Sequence, residues 1–224
     1  MSNLKKPVKW KEFNFDCLKI GLDKKTPKLY YERRDENDAP VLDELQIQFP
    51  HMNVPFGIKE NEHKNQWSNF KEYYFDCSLK HSVEEENFNN FMQKLNEKIK
   101  SLINECSSFK EPCTDDNYGN IERTGKFNSL IKLNVLRDKE GNFNSYVFRY
   151  NSAKKHDKVL IKDENIHEVI KAKTIFIPIV NCSKIYYYKE RYGSIWNLIQ
   201  MLIIEKQVET APKPESNIYT QYGF

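Results

Sequence analysis

Arginine and alanine are scarce in this chain: 6 and 4 residues of 224, against 29 lysines and 23 asparagines. Lysine, asparagine, isoleucine, tyrosine and phenylalanine share A/T-rich codons. The bias therefore reports base composition, and no functional argument rests on lysine or asparagine counts alone. A large excess of one charge is missing too. At a net charge of +3 the chain is not an all-round polycation, so any contact with nucleic acid must come from local patches. No apolar run approaches the ~20 residues of a membrane span; the longest are Thr174–Val180 and Leu198–Ile204. The leading MSNLKKPVKWKEF has no apolar stretch, so no signal peptide is expected. The five cysteines (Cys17, Cys77, Cys106, Cys113, Cys182) are odd in number, scattered and free of CxxC pairs. They read as reduced thiols of an intracellular protein, packed as small hydrophobes.

Chemical motifs are missing as well. GxxxxGK followed by Ser or Thr, GxGxxG, HExxH, GxSxG and DxDxDG do not occur. Carboxylates cluster only at Asp35-Glu36-Asp38, at Glu84–Glu86, the first turn of a predicted helix, and at Asp115-Asp116, a pair that could hold a divalent metal but reads more readily as a solvated loop in a lysine-rich chain. The five histidines lack metal-ligand spacing, and Cys77 with His81 falls at a strand end. The expectation is no metal, no cofactor and no enzymatic activity.

Aromatics, at 13%, are plentiful, which argues against a disordered chain. The length suits one large domain or two small ones. Strand patterns fall at Phe13–Leu22 (with a bulge or change of face near Cys17), Lys28–Arg33, Leu45–Phe49, Lys71–Leu79, Phe127–Leu136, Asn144–Tyr150, Val159–Ile161, Thr174–Val180, Lys184–Lys189 and Ser194–Glu205. Gly141, in a charged turn, makes 127–150 a predicted hairpin. Ile166–Ala172 reads as one or two helical turns. One long helix is predicted at Val83–Cys106, with Ser82 as N-cap and Phe88, Phe91, Met92, Leu95, Ile99, Leu102, Ile103 and Cys106 as its core stripe. The fold class is a β-rich α+β barrel or sandwich carrying that helix. Residues 1–12 read as a flexible arm, 13–205 as one domain and 206–224 as a flexible tail.

Several strands interleave aromatics with cations. They are Lys71-Glu-Tyr73-Tyr74-Phe75, Tyr146–Tyr150 followed by Lys154, Lys155 and Lys158, and Lys184–Tyr192. Single-stranded nucleic acid needs this pairing, because bases stack on rings while cations track phosphates. Tyrosine is also a good strand former anywhere. At least one of Tyr186, Tyr187 and Tyr188 is expected in the core. Lys132 interrupts an apolar strand and must face solvent or a ligand. Arg149 sits similarly, and the two are expected to share a face of the predicted hairpin.

The C-terminal half orders LIKLNV, a basic turn, IHEVIKAKTIFIPIV and KIYYYKERYGSIWNLIQMLI. With Gly193-x-x-Trp196-x-x-x-Gln200 and the Pro55-Phe56-Gly57 turn, residues 50–205 resemble the single-stranded DNA-binding proteins of nucleocytoplasmic large DNA viruses, the African swine fever virus type with its algal- and amoebal-virus relatives. The resemblance implies an OB-fold-like barrel that coats single-stranded DNA during viral genome replication, recombination or repair, in the host cytoplasm, viral factory or virion. It implies structural roles for Trp196 and Gln200. The residues expected on DNA are Lys132, Arg149, Lys154, Lys155, Lys158, Tyr74, Tyr186, Tyr188 and Arg191. Further expected partners are replication proteins, reached through the aromatic tail ending in Phe224, and a second copy of the chain; no membrane partner is expected.

Two other readings stand beside this one. The aromatic strands would also suit a viral structural or interaction protein, whose interface would be poor in lysine. An enzyme would instead gather carboxylates, histidine or cysteine in a pocket.

Overall fold

Alternation and β-branching build most of the chain into strands, and one amphipathic stretch into a helix. The computed structural model describes residues 6–61, 70–79, 84–123, 129–150 and 156–204. Strands β1 (Val8–Lys9), β2 (Leu18–Asp23), β3 (Thr26–Arg34), β4 (Pro40–Glu44), β5 (Ile47–Gln48), β6 (Met52–Asn53), β7 (Ile58–Glu60) and β8 (Tyr73–Leu79) precede helix α1 (Glu85–Glu105). After it come β9 (Glu122–Arg123), β10 (Leu130–Val135), β11 (Tyr146–Tyr150), β12 (His156–Val159), the single turn α2 (Ile166–Val169), β13 (Ile175–Tyr188) and β14 (Arg191–Ile203). The first meander, β2-β3-β4, is a sheet of its own. The other described strands form one mixed sheet. Within it the pairings run β13–β6–β8–β10–β14 and back to β13, which makes a ring of five strands.

The predicted stripe of α1 is buried through Ile103, and Phe88 and Phe91 carry it onto Trp10, Phe13 and Phe49. Its expected N-cap, Ser82, lies outside the described residues. The same rings anchor residues 8–12, which were expected to be loose. Val8 pairs with Ile47, and Trp10 meets Phe88 edge-on at 5.3 Å. Near Cys17 the change of face comes from a 3-10 turn, Phe15–Cys17, rather than a bulge.

The largest departure is the predicted hairpin at 127–150. Gly141 does take a positive φ, 88°, and an isolated bridge from Arg137 to Phe143 closes the turn. Yet β10 and β11 do not pair. β14 lies between them, parallel to both. The long apolar β14 offers each a better partner than they offer each other.

A buried polar anchor ties α1 to the loop after it. Asn96, 4% exposed, donates to Glu122 Oε2 at 2.8 Å and accepts from the Ile121 backbone N–H at 3.2 Å and the Tyr118 hydroxyl at 3.4 Å. Asn96→Leu strands a buried N–H and a carboxylate. It is expected to cost about 2–3 kcal/mol and to lower the melting temperature by roughly 5–10 °C, read by circular dichroism.

Candidate nucleic-acid interface

Register decides which side chains share a surface, because alternate residues point to opposite faces. On β8, Tyr73, Phe75, Cys77 and Leu79 face the core, which leaves Tyr74 and Asp76 on the outer face. Asp76 lies opposite Lys132, Tyr74 opposite Asn134 and Lys59, and Arg123 opposite Leu130. Lys59, Tyr74, Asp76, Arg123, Lys132 and Asn134 therefore form one outer face.

That face is basic. Lys59 pairs with Asp76 at 3.4 Å, and Arg123 pairs with its other oxygen. Lys132 Nζ lies over the Tyr74 ring, 3.9 Å from its centroid, and Lys59 reaches the same ring at 5.9 Å and Phe56 at 5.3 Å. Three cations, Lys59, Arg123 and Lys132, thus gather at one carboxylate, Asp76, while Glu72 and Asp138 line the groove further along. The Lys132 ammonium is held below its ordinary pKa, first by loss of water, then by repulsion from Arg123 and Lys59, with Asp76 opposing. Among the described residues it is in no ion pair, and Asp76 opposite it is taken by Lys59 and Arg123.

The arm formed by β13 and β14 carries more of this face. Past the bulge at Ser183, Lys184, Tyr186 and Tyr188 lie opposite Ile195, Gly193 and Arg191. By alternation these residues share the side of Asn197, which is paired to Asn134. Tyr186 lies across Gly193, where a Cβ would run into its hydroxyl, so only glycine allows this ring position. Lys189 and Glu190 make the tip with φ of 48° and 61°. All three tyrosines are exposed, Tyr188 at 65%. None is in the core; Tyr187 instead covers the buried Tyr192 from outside, at 4.6 Å.

Between sheet and arm runs a groove of about 770 Å³, whose walls include Tyr74, Arg123, Lys132, Asn134, Tyr186 and Asn197. It opens because β10 and β14 pair only at Asn134–Asn197 and Val135–Leu198 and diverge before that. One wall is the loop at Gly119–Ile121, fixed by Gly119 N–H to Tyr192 O at 2.9 Å and Tyr192 N–H to Asn117 O at 2.7 Å. At one end Arg137 stacks on Phe143 at 3.8 Å and donates to the Lys71 and Gly141 carbonyls, which locks three segments together.

The predicted residues are brought together only in part. Tyr74, Lys132, Tyr186, Tyr188 and Arg191 share the groove's face. Lys158 lies on the same side of the sheet but on the β11–β12 hairpin, over Tyr146 at 4.7 Å. Arg149 does not join them. It takes the opposite face, beside Ile203, and lines a separate depression with Glu168 and Lys171. One residue of register separates it from its aromatic neighbours. Lys154 and Lys155 lie outside the described residues, as does the tail from 205 onward. Lys59 and Arg123 escaped the sequence reading because they sit in short strands that look like loop. Arg123 had one signal: arginine is rare here, and a lysine-biased chain keeps it where a planar, forked cation is needed.

Other chemistry is sparse. Among the described residues no three metal-ligating side chains gather, and Asp115 pairs with Lys100. Burial lifts the thiols of Cys113 and Cys182 to about 11 and about 12, so both stay protonated at neutral pH. No described helix is long and apolar enough to cross a membrane.

No protein-family model matches the chain, and no curated protein matches it. Among solved structures it is similar to the single-stranded DNA-binding protein of bacteriophage Enc34 in complex with ssDNA, at 9% identity and a TM-score of 0.49, over 77% of this chain and 93% of that one. The C-terminally truncated Enc34 protein matches at 9% identity and 0.49, over 79% and 95%. A third Enc34 structure matches at 9% and 0.48, over 78% and 88%. A likeness of that size has no bearing on what this chain binds.

Proposed function

We propose that this protein binds single-stranded DNA without regard to sequence, on an OB-like scaffold. One observation carries the reading: Lys59 and Lys132 lie over the Tyr74 ring, with Arg123 beside them on Asp76, along an open groove whose far wall presents Tyr186. Rings for bases and cations for phosphates stand within one strand's reach. A protein interface would be poor in lysine at its centre, and here lysine is the centre. The scaffold is supported by the five-strand ring, the strand count of an OB-fold. The role is to coat strands exposed during replication, recombination or repair of a viral genome; this finer part rests on the resemblance of residues 50–205 to the large-DNA-virus proteins.

The test is fluorescence anisotropy with a labelled single strand of roughly 30 nucleotides, competed with duplex and repeated across salt. Expected are a preference for single strands and an affinity that falls steeply with salt. No binding at low salt would overturn the proposal.

Binding should also depend on pH. Phosphate near Lys132 raises a pKa that the free protein holds down, so binding takes up protons between the depressed value and 10.5. Affinity is expected to fall as pH rises through that window. Lys132→Arg, which does not titrate there, should flatten the profile. In the free protein the sign is opposite: the lowered pKa costs stability at neutral pH, and the cost disappears as pH climbs from the depressed pKa toward 10.5.

A further inference from the structure

The β-bulge at Ile199 has a consequence for the whole outer face. Ile179 pairs with Gln200, but the next residue, Val180, pairs with Leu198. Ile199 is therefore extra, and Asn197 and Gln200 come to the same side although their numbers differ in parity. Asn197 carries the groove's face through its partner Asn134. Gln200 lies beside Tyr146 and Leu202 beside Phe148. Across the next ladder Lys158 lies opposite Phe148, and His156 opposite Tyr150. Without the bulge this outer surface would end at β14. With it, the groove's face runs on to the β11–β12 hairpin.

The hairpin presents Tyr146, Phe148 and Tyr150 at every second residue, about 6.7 Å apart along the strand. Tyr146 and Phe148 are half-buried and Tyr150 is exposed. Lys158 Nζ sits 4.7 Å from the Tyr146 centroid, and the His156 ring lies 5.4 Å from that of Tyr150. None of the described residues of β11, β12 and β14 on this face is acidic; Asp157 points the other way, opposite Arg149. A ladder of rings flanked by the Lys158 ammonium and the His156 ring, with no carboxylate among the described residues of these strands on this face, complements bases and phosphates.

We propose that this hairpin face is a second subsite for the same single strand, which leaves the groove across Asn197 and Gln200 and stacks on Tyr146, Phe148 and Tyr150. The proposal rests on the groove being the first subsite. It makes the footprint bipartite. A short oligonucleotide fills the groove alone, and a longer one engages both parts.

The experiment titrates the full chain with single strands of roughly 6 and roughly 20 nucleotides. Tyr150→Ala with Lys158→Ala is the first variant. Lys158→Glu, a change at an exposed side chain, is the second and guards against misfolding. Expected is about a tenfold loss of affinity for the long strand in both variants, with the short strand held within twofold. Wild-type affinity for the long strand in either variant overturns the subsite. So does unchanged DNA binding with loss of self-association by sedimentation, which would assign the face to a second copy. An equal loss on both lengths overturns it too, because the subsites would not be separate. If wild-type protein binds neither strand, the groove reading itself fails, a different result from a variant that matches wild type.

Discussion

Lys132→Met is expected to lower the affinity for single-stranded DNA about tenfold at low salt while leaving the melting temperature unchanged or slightly raised. The methionine keeps an apolar stem against Tyr74 and removes only the charge. A charge-assisted contact contributes about 1.5–3 kcal/mol, and each 1.4 kcal/mol is tenfold. The salt dependence should flatten as well, by about 0.7 in the slope of log affinity against log salt, one phosphate's share for a single strand. Stability should not suffer, because the ammonium is held below its ordinary pKa by lost hydration and by Arg123 and Lys59. Removing a cation from a cluster of three around one carboxylate relieves repulsion. Adding Arg123→Met should weaken binding further, but it uncovers Asp76, whose remaining ion pair among the described residues is with Lys59. That double variant should lose stability, which makes the single change the cleaner test. Unchanged affinity and slope in Lys132→Met would remove the groove from the account.

Much of this site was legible in the sequence for a simple reason. A lysine within LIKLNV has no place in a core, and period-2 alternation fixes which of its neighbours accompany it. The same alternation placed Tyr74 outside and Phe75 inside. Pairing partners were not legible. A charged turn with Gly141 looks like a hairpin whether or not the flanking strands pair, and here β14, which is more than 40 residues further on, inserts between them. Arg149 was misplaced for that reason: a face predicted from a hairpin does not survive the loss of the hairpin. The tyrosines failed differently. A run of three puts at least one tyrosine on each face, so one goes inside wherever either face is covered; at this end of β13 the cover stops at Ile185 and Tyr192, and Tyr186, Tyr187 and Tyr188 stay exposed. Bulges at Ile199 and Ser183 cannot be read from composition, yet they keep the arm, groove and β11 hairpin on one surface. Residues 8–12 were misread because two short polar stretches hide one ring, Trp10, whose burial against Phe88 and Phe91 outweighs them.

Phe49→Ala should do the converse of Lys132→Met: large loss of stability, little loss of binding. Phe49 is 1% exposed and lies between Phe88 of α1, at 5.1 Å, and Trp196 of β14, at 6.4 Å. It joins the helix to the strand that floors the groove. Truncating a buried phenylalanine costs about 3–5 kcal/mol, because the helix and sheet cannot collapse fully onto the space. For a chain of this size that is a fall of roughly 10 °C in melting temperature. Phe49 sits on the core side beside Ile47, whose register partner is Val180, and its N–H donates to Pro178 O, while Asn134, Lys132 and Tyr74 face outward. Well below the new melting temperature, affinity for single-stranded DNA should stay within a few-fold of wild type. The two variants together test whether binding and folding are carried by opposite faces of one sheet. If Phe49→Ala lost affinity tenfold while still folded, the core would be setting the groove's geometry, through Trp196 and its neighbour Asn197. The outer-face cations would then not suffice to explain binding.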